Sequence, residues 1–204
     1  MHASAWLQLR DNLGIAERPW RFLVGHSSQV AALHMTSSLF SIRPLTVADV
    51  PDVLRIQAQC YGTQYVEGQA LFERRLQAVH HCSLAAEANG QVVAYLAAYW
   101  SLPGKVTPLH GEFAAYDNAH VLYLHDMAVQ ADHAGRGIAG QLLQACFAQA
   151  RNRRVLQAAL VAVQDAAAYW QRHGFAPSTL EDAVQQGHLR SYGDDAVYME
   201  RRGL

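Results

Sequence analysis

Three glycines fall within six residues, Gly135-Arg136-Gly137-Ile138-Ala139-Gly140, at the junction of an apolar run, Val121–Val129, and a helical pattern starting at Ile138. No other feature constrains the chain as tightly. Glycines at a strand-to-helix junction let the backbone turn sharply and approach a ligand closely. The helix that follows presents unpaired N–H groups and a partial positive charge at its start. An anion, phosphate above all, is the natural guest of such a terminus. A simple connecting turn would have the same composition, so the surroundings must decide.

The run literally satisfies G-x-G-x-x-G, and Asp165 lies 25 residues past Gly140, tolerably placed for a ribose contact. Two features oppose a dinucleotide fold. Five residues, Gln130–Ala134, separate Val129 from Gly135, whereas that fingerprint follows its strand directly. The upstream chain also reads as an antiparallel hairpin: Cys82–Ala88 and Gln91–Trp100 flank Asn89-Gly90, a pair suited to a turn with two positive φ angles. A P-loop is excluded because no G-K-[ST] follows.

The other elements fill in around this junction. Leu39–Arg43 reads as a short strand. Thr46 and Asp49 resemble a capping box, with Asp49 an alternative N-cap. Val50, Val53, Leu54, Gln57, Cys60 and Tyr61 then give a helical face. A second helix is expected over Ala70–Val79, and a long loop over Ser101–Ala119 that could act as a lid. Ile138–Ala150 reads as a helix and Val155–Val163 as a strand buried on both faces. Asp165 could cap a helix through Arg172; a short helix near Glu181–Gln186 and a strand near Ala196–Glu200 follow. Antiparallel strands followed by a β-α-β crossover indicate a mixed α/β sheet. Residues 1–38 read as an N-terminal appendage without a readable role.

Composition bounds the function. A chain 51% hydrophobic and only 16% charged folds around a core. Its formal net charge of −1 argues against a bulk grip on nucleic acid or a polybasic membrane anchor. The longest apolar runs are about nine residues, against about 20 for a span. Cys60, Cys82 and Cys146 are widely spaced, with no signal-peptide pattern upstream, so a reduced, cytoplasmic protein is expected. No metal-binding spacing appears among the histidines.

The segments Tyr123-Leu-His-Asp-Met-Ala-Val129, His133-Ala-Gly-Arg-Gly-Ile-Ala139 and Ala166-Ala-Ala-Tyr-Trp-Gln-Arg-His-Gly-Phe175 together resemble the GNAT superfamily of acyl-CoA-dependent N-acetyltransferases. Ile42-Arg-Pro-Leu-Thr-Val-Ala-Asp49 and Ser191-Tyr-Gly-Asp-Asp-Ala-Val-Tyr-Met199 also fit its bacterial members. The resemblance covers residues 39–204. It implies a mostly antiparallel α/β sheet, splayed between its fourth and fifth strands and flanked by helices. It implies acetyl-CoA as cosubstrate and a small-molecule or peptide amine as acceptor, with a homodimer as one assembly. The N–H groups of Gly135, Arg136, Gly137, Ile138, Ala139 and Gly140 are then expected to hold the pyrophosphate. Met127, Ala128 and Val129 are expected to pair with the pantetheine arm, with Trp170 beside it.

Two residues depart from the family pattern. Ala134 stands where Gln or Arg is usual, which removes a side chain but no backbone donor. Trp170 stands where many members carry a tyrosine as general acid, and an indole N–H is far too weak an acid for that role. Tyr169 is the neighbouring candidate, one helical step around. His125 and Asp126 are the candidate bases, the imidazole being better suited to neutral pH. Simple alternation would put Tyr123, His125, Met127 and Val129 on one face and Leu122, Leu124, Asp126 and Ala128 on the other, unless a bulge intervenes. His110, Glu112, Asp117 and His120 could line a pocket from the long loop or sit on its surface. A non-catalytic acyl-CoA-binding module is the alternative reading.

Overall fold

In the computed structural model, which describes residues 40–61, 65–163 and 166–204, Asn89 and Gly90 take φ of +51° and +76°. These angles close a tight hairpin between β2 (Leu84–Ala88) and β3 (Gln91–Ser101). The Asn-Gly pair dictates this turn, because both central positions need positive φ. β1 (Ser41–Pro44) joins the hairpin antiparallel on the β2 side. β4 (Val121–Val129) joins it antiparallel on the β3 side.

The chain then crosses over. α3 (Ile138–Asn152) follows β4 and returns the chain to β5 (Gln157–Ala162), which runs parallel to β4. β7 (Val197–Arg202) pairs antiparallel with β5, and the two-residue β6 (Ala176–Pro177) pairs with β7. The order is β1-β2-β3-β4-β5-β7-β6, with one parallel pair. This is the mixed, mostly antiparallel sheet that the GNAT resemblance implies, not the doubly wound parallel sheet of a dinucleotide domain.

Helices cover both faces. On one face α3 presents Ile138, Leu142, Leu143, Cys146 and Phe147 to Leu122, Leu124 and Leu160, with α4 (Ala167–Arg172) beside it. On the other, α1 (Val50–Cys60) and α2 (Gln69–Gln77) bury Val53, Ile56, Cys60, Phe72 and Leu76 against Tyr95, Tyr123 and Tyr198. α1 starts as the sequence leads one to expect, with Pro51 in its first turn and Asp49 as N-cap. The Asp49 carboxylate, however, caps no helical N–H. It turns back to accept from the Thr46 backbone N–H (2.8 Å) and is gripped by the Arg43 guanidinium at 2.7 and 2.8 Å. α5 (Ala183–Arg190) begins at Asp182, whose Oδ1 accepts from Val184 N.

Two expectations are corrected. The register of β3 on β4 shifts between Ala97, opposite Asp126, and Ala98, opposite Leu124, so His125 is an extra, unpaired residue. This β-bulge resets the alternation. Met127 and Val129 join Leu122 and Leu124 on the α3 side, while Ala128 joins Tyr123 on the α1 side. The segment between β3 and β4 is also no free lid. Val106 N–H donates to Gln185 Oε1, Leu109 N–H to Ser191 Oγ, and His110 N–H to Glu67 Oε1. Phe113 is buried on Tyr99, ring centroids 4.3 Å apart. The appendage expected over 1–38 and the expected cap and ribose contact at Asp165 lie outside the described residues. Among the described residues no helix is long and apolar enough to cross a membrane.

Candidate active site

β4 and β5 pair at only three positions, Leu122–Leu124 against Ala158–Leu160. Beyond them β4 stays on β3 to Val129, and β5 stays on β7 to Ala162. The strands therefore diverge, and residues 125–129 present a backbone edge with no strand partner on the β5 side. A cavity of about 820 Å³, counted out to solvent, fills the divergence. Leu96, Leu124, Met127, Leu160, Ala166 and Trp170 line it from the α3 side. Tyr61, Leu109, Val161, Val163 and Tyr192 line it from the α1 side. The cavity is thus walled by residues from both faces of the sheet.

The glycine loop lies just past the end of β4, after one 3-10 turn at Ala131–His133. Gly135 and Gly137 have φ of +71° and +77°, and Gly137 is the N-cap of α3. The first helical bond runs from Gln141 N–H to Gly137 O. The N–H groups of Ile138, Ala139 and Gly140 therefore have no intrahelical acceptor, as at any helix start. A Cβ added to Gly135, Gly137 or Gly140 would meet nothing within 4 Å, so the side-chain positions of the loop are open. The Arg136 side chain curls back, its Nη2 donating to the Asp132 carbonyl at 2.8 Å. An anion at this terminus would be held by backbone, not by that guanidinium. The free β4 edge, the open cavity and this N–H cradle together fit the pantetheine and pyrophosphate of a coenzyme A thioester.

The bulge at His125 aims two consecutive side chains the same way. Asp126 accepts from the hydroxyls of Tyr61 (2.5 Å) and Tyr95 and from Gln57 Nε2 (3.2 Å). Burial, then the Asp126 charge, pushes the Tyr61 and Tyr95 phenols well above 10. His125 directs Nε2 to Glu67 Oε2 at 3.1 Å, and its ring sits edge-on to Phe113. Its Nδ1 is buried with no hydrogen-bond partner among the described residues. Glu67 is in turn forked by Arg75 at 2.5 and 2.7 Å, and all three side chains are at most 3% exposed. Burial pulls the Glu67 carboxyl upward. The neighbouring His125 and Arg75 more than reverse this and hold it well below the carboxylate range.

Of the residues singled out from sequence, the structure brings His125, Asp126, Met127 and Trp170 to the cavity. Ala128 and Val129 continue the same strand edge. Tyr169 is not brought there. It is buried against Trp170 and His173, with ring centroids 5.1 and 4.6 Å away, and burial pushes its phenol up to about 12. Of the long loop, Leu109 reaches the cavity and His110, Glu112, Asp117 and His120 do not. Sequence reasoning missed Tyr61 as a cavity residue, and Tyr65, Glu67, Arg75 and Tyr192 altogether. A signal existed only for Gln57 and Tyr61, polar groups on an otherwise apolar helical face. Among the described residues no cluster of three or more His, Cys, Asp or Glu could hold a metal ion.

Comparison with known proteins agrees with this fold. Ard1 from Thermoplasma volcanium superposes with a TM-score of 0.58 at 16% identity, covering 81% of this chain and 99% of that one. The ribosomal-protein-S18-alanine N-acetyltransferase from Escherichia coli gives 0.57 at 18% identity, over 80% and 93%. A GNAT family acetyltransferase from Brucella melitensis, solved with acetyl-CoA, gives 0.50 at 22% identity, over 68% and 84%. At these identities the likeness is one of fold. No curated protein sequence matches the chain. The model of the acetyltransferase (GNAT) family, however, matches residues 50–175, which takes in all of the cavity wall but Tyr192, with the bulge, the glycine loop and Trp170. That match spans more than half of the chain, which therefore belongs to the GNAT family of acetyltransferases.

Proposed function

We propose that this acyltransferase moves an acetyl group from acetyl-CoA to a primary amine by direct attack, with His125 taking the proton from the amine. The observation that carries this reading is the buried Glu67–His125 pair at the cavity wall, with His125 Nδ1 unpartnered among the described residues. An ionised Glu67 can only accept, so Nε2–H donates to it. In the neutral imidazole this leaves an unpaired lone pair on the buried Nδ1, which the amine proton would reach directly or through one water. The Asp126 carboxylate is instead engaged by three donors, Tyr61, Tyr95 and Gln57.

Acetyl-CoA, when bound, supplies an activated thioester. The N–H groups from Gly135 to Gly140 would hold its pyrophosphate and the Met127–Val129 edge its pantetheine arm. The same edge offers backbone N–H groups to an oxygen on which negative charge develops. Trp170 can donate a hydrogen bond but cannot give up its proton at neutral pH, so the leaving thiolate takes its proton from water. Tyr169, buried and raised, is a poor acid for that step. In this reading residues 39–204 form the catalytic unit and residues 1–38 an appendage. Release of coenzyme A with a panel of amines tests the activity. Absence of acetyl-CoA binding by calorimetry would overturn it.

Trp170 at the cavity wall favours a second reading, a module that binds acyl-CoA without turning it over. Binding without turnover on any amine, with activity appearing in Trp170→Tyr, would select it.

A further inference from the structure

We infer that the acceptor site selects an amine with no acidic group near its nitrogen, so that a free amino acid is refused. This rests on the acetyl-transfer reading above. Two carboxylates, Glu67 and Asp126, belong to the cavity wall, and among the described residues lining it there is no Lys or Arg. The flanking stretches Gly62-Thr63-Gln64 and Gln164-Asp165 bring no cation in sequence either.

The Arg75 guanidinium that grips Glu67 is not on offer. Arg75 does not line the cavity and is 1% exposed. Four of its five N–H donors are spent on Glu67 and on the Gly111 carbonyl. The hydroxyls of the wall are spent as well. Tyr61 donates to Asp126, Tyr65 to the Tyr192 carbonyl, and Tyr192 to the Thr107 carbonyl. With His125 neutral, an incoming molecule on the α1 side of the cavity therefore meets lone pairs, negative charge and apolar walls. The remaining side-chain donor, the Trp170 indole, lies on the opposite side.

An ammonium suits this wall. It donates to carboxylate and phenol oxygens and is attracted to aromatic faces. Leu109, Val161 and Val163 suit an apolar body behind it. A carboxylate beside the nitrogen would instead add a further negative charge to an enclosed space with no free counter-ion, where like charges repel strongly. The shared chemistry is a carboxylate-free amine, whether a small arylalkylamine or the N-terminus of a peptide.

The test compares 2-phenylethylamine, phenylalaninamide, an amide-blocked peptide beginning with phenylalanine, and free phenylalanine. The readouts are coenzyme A release and calorimetric binding in the presence of coenzyme A. At least one carboxylate-free acceptor should exceed phenylalanine in kcat/KM on the order of 100-fold. Preference for the first indicates a small amine as the source, and preference for the blocked peptide indicates a polypeptide N-terminus. Phenylalanine turned over within a few-fold of its amide would overturn the inference. If acetyl-CoA binds but nothing is acetylated, the activity reading fails while calorimetry still decides this one. Phenylalanine binding as tightly as its amide, or neither binding, would then overturn it.

Discussion

Nε2 of His125 stands 3.1 Å from Oε2 of Glu67, across 58 residues of sequence, with the two side chains 2% and 3% exposed. The β4 bulge sets His125 outside the strand pairing. Arg75 fixes Glu67 from its other side. An oriented imidazole between a buried ion pair and an open cavity is the arrangement on which the proposed chemistry turns.

Replacing the imidazole partner of this pair tests it through function. His125→Ala should lower kcat by about 10²–10⁴-fold, the usual worth of a positioned base. Acetyl-CoA binding measured by calorimetry should be unchanged, because the loop and strand edge that would hold it are untouched. A variant with near wild-type kcat would remove His125 from the chemistry.

Glu67→Gln should destabilise the fold by about 3–5 kcal/mol at neutral pH, since it leaves the Arg75 charge buried and uncompensated. The sign of its pH dependence follows from the lowered Glu67 pKa. The stabilisation is present above the ordinary carboxyl value of 4.5 and is lost as pH falls below it toward the folded-state value. The gap between wild type and variant in urea unfolding should therefore narrow from pH 7 to pH 3. A constant gap would show that Glu67 is not held ionised by its neighbours.

Alkali should act on the tyrosines. Tyr61, Tyr95, Tyr123 and Tyr192 are all raised well above 10, chiefly by burial. The unfolded chain ionises them near pH 10 while the folded chain does not. Stability is thus complete below pH 10 and falls as pH rises above it. Tyr95→Phe removes one such group and should make the fall shallower by about 1.4 kcal/mol per pH unit. Equal slopes for the two proteins would contradict this.

Gly137→Ala should separate backbone cost from ligand cost. With φ at +77° an alanine is strained, and a loss of about 1–2 kcal/mol in folding is expected. Its Cβ meets no protein atom within 4 Å, so any loss of ligand binding would come from the changed loop backbone or from contact with the ligand itself. Acetyl-CoA affinity should fall at least 10-fold in calorimetry. Unchanged affinity would place the pyrophosphate elsewhere.

What could be read from sequence is what is local. Asn89-Gly90 specifies its turn and Gly137 its helix start, because positive φ is a property of one or two residues. The face of α3 was legible because Ile138, Leu142, Leu143, Cys146 and Phe147 recur at helical spacing. Glu67 offered no such signal: an isolated carboxylate between two helices is ordinary until Arg75 and His125 are seen around it. The position of the bulge, which the sequence reading allowed for, carried no local signal, since it exists in the pairing of Ala97 and Ala98 with β4 and not in either strand alone.

The sequence by itself determined the glycine loop, the hairpin and the crossover, and through them the family and its cosubstrate. Only the tertiary structure decided which side chains meet at the cavity. Parallel pairing that stops at Leu124 opens the sheet. One extra residue in β4 turns His125 and Asp126 to the same side. The folding of α1 and the segment after it over that opening brings Tyr61 and Glu67 to them. Such contacts join residues about 60 positions apart, and low-dielectric burial gives them their charge states, so neither can be read from any local run of the chain.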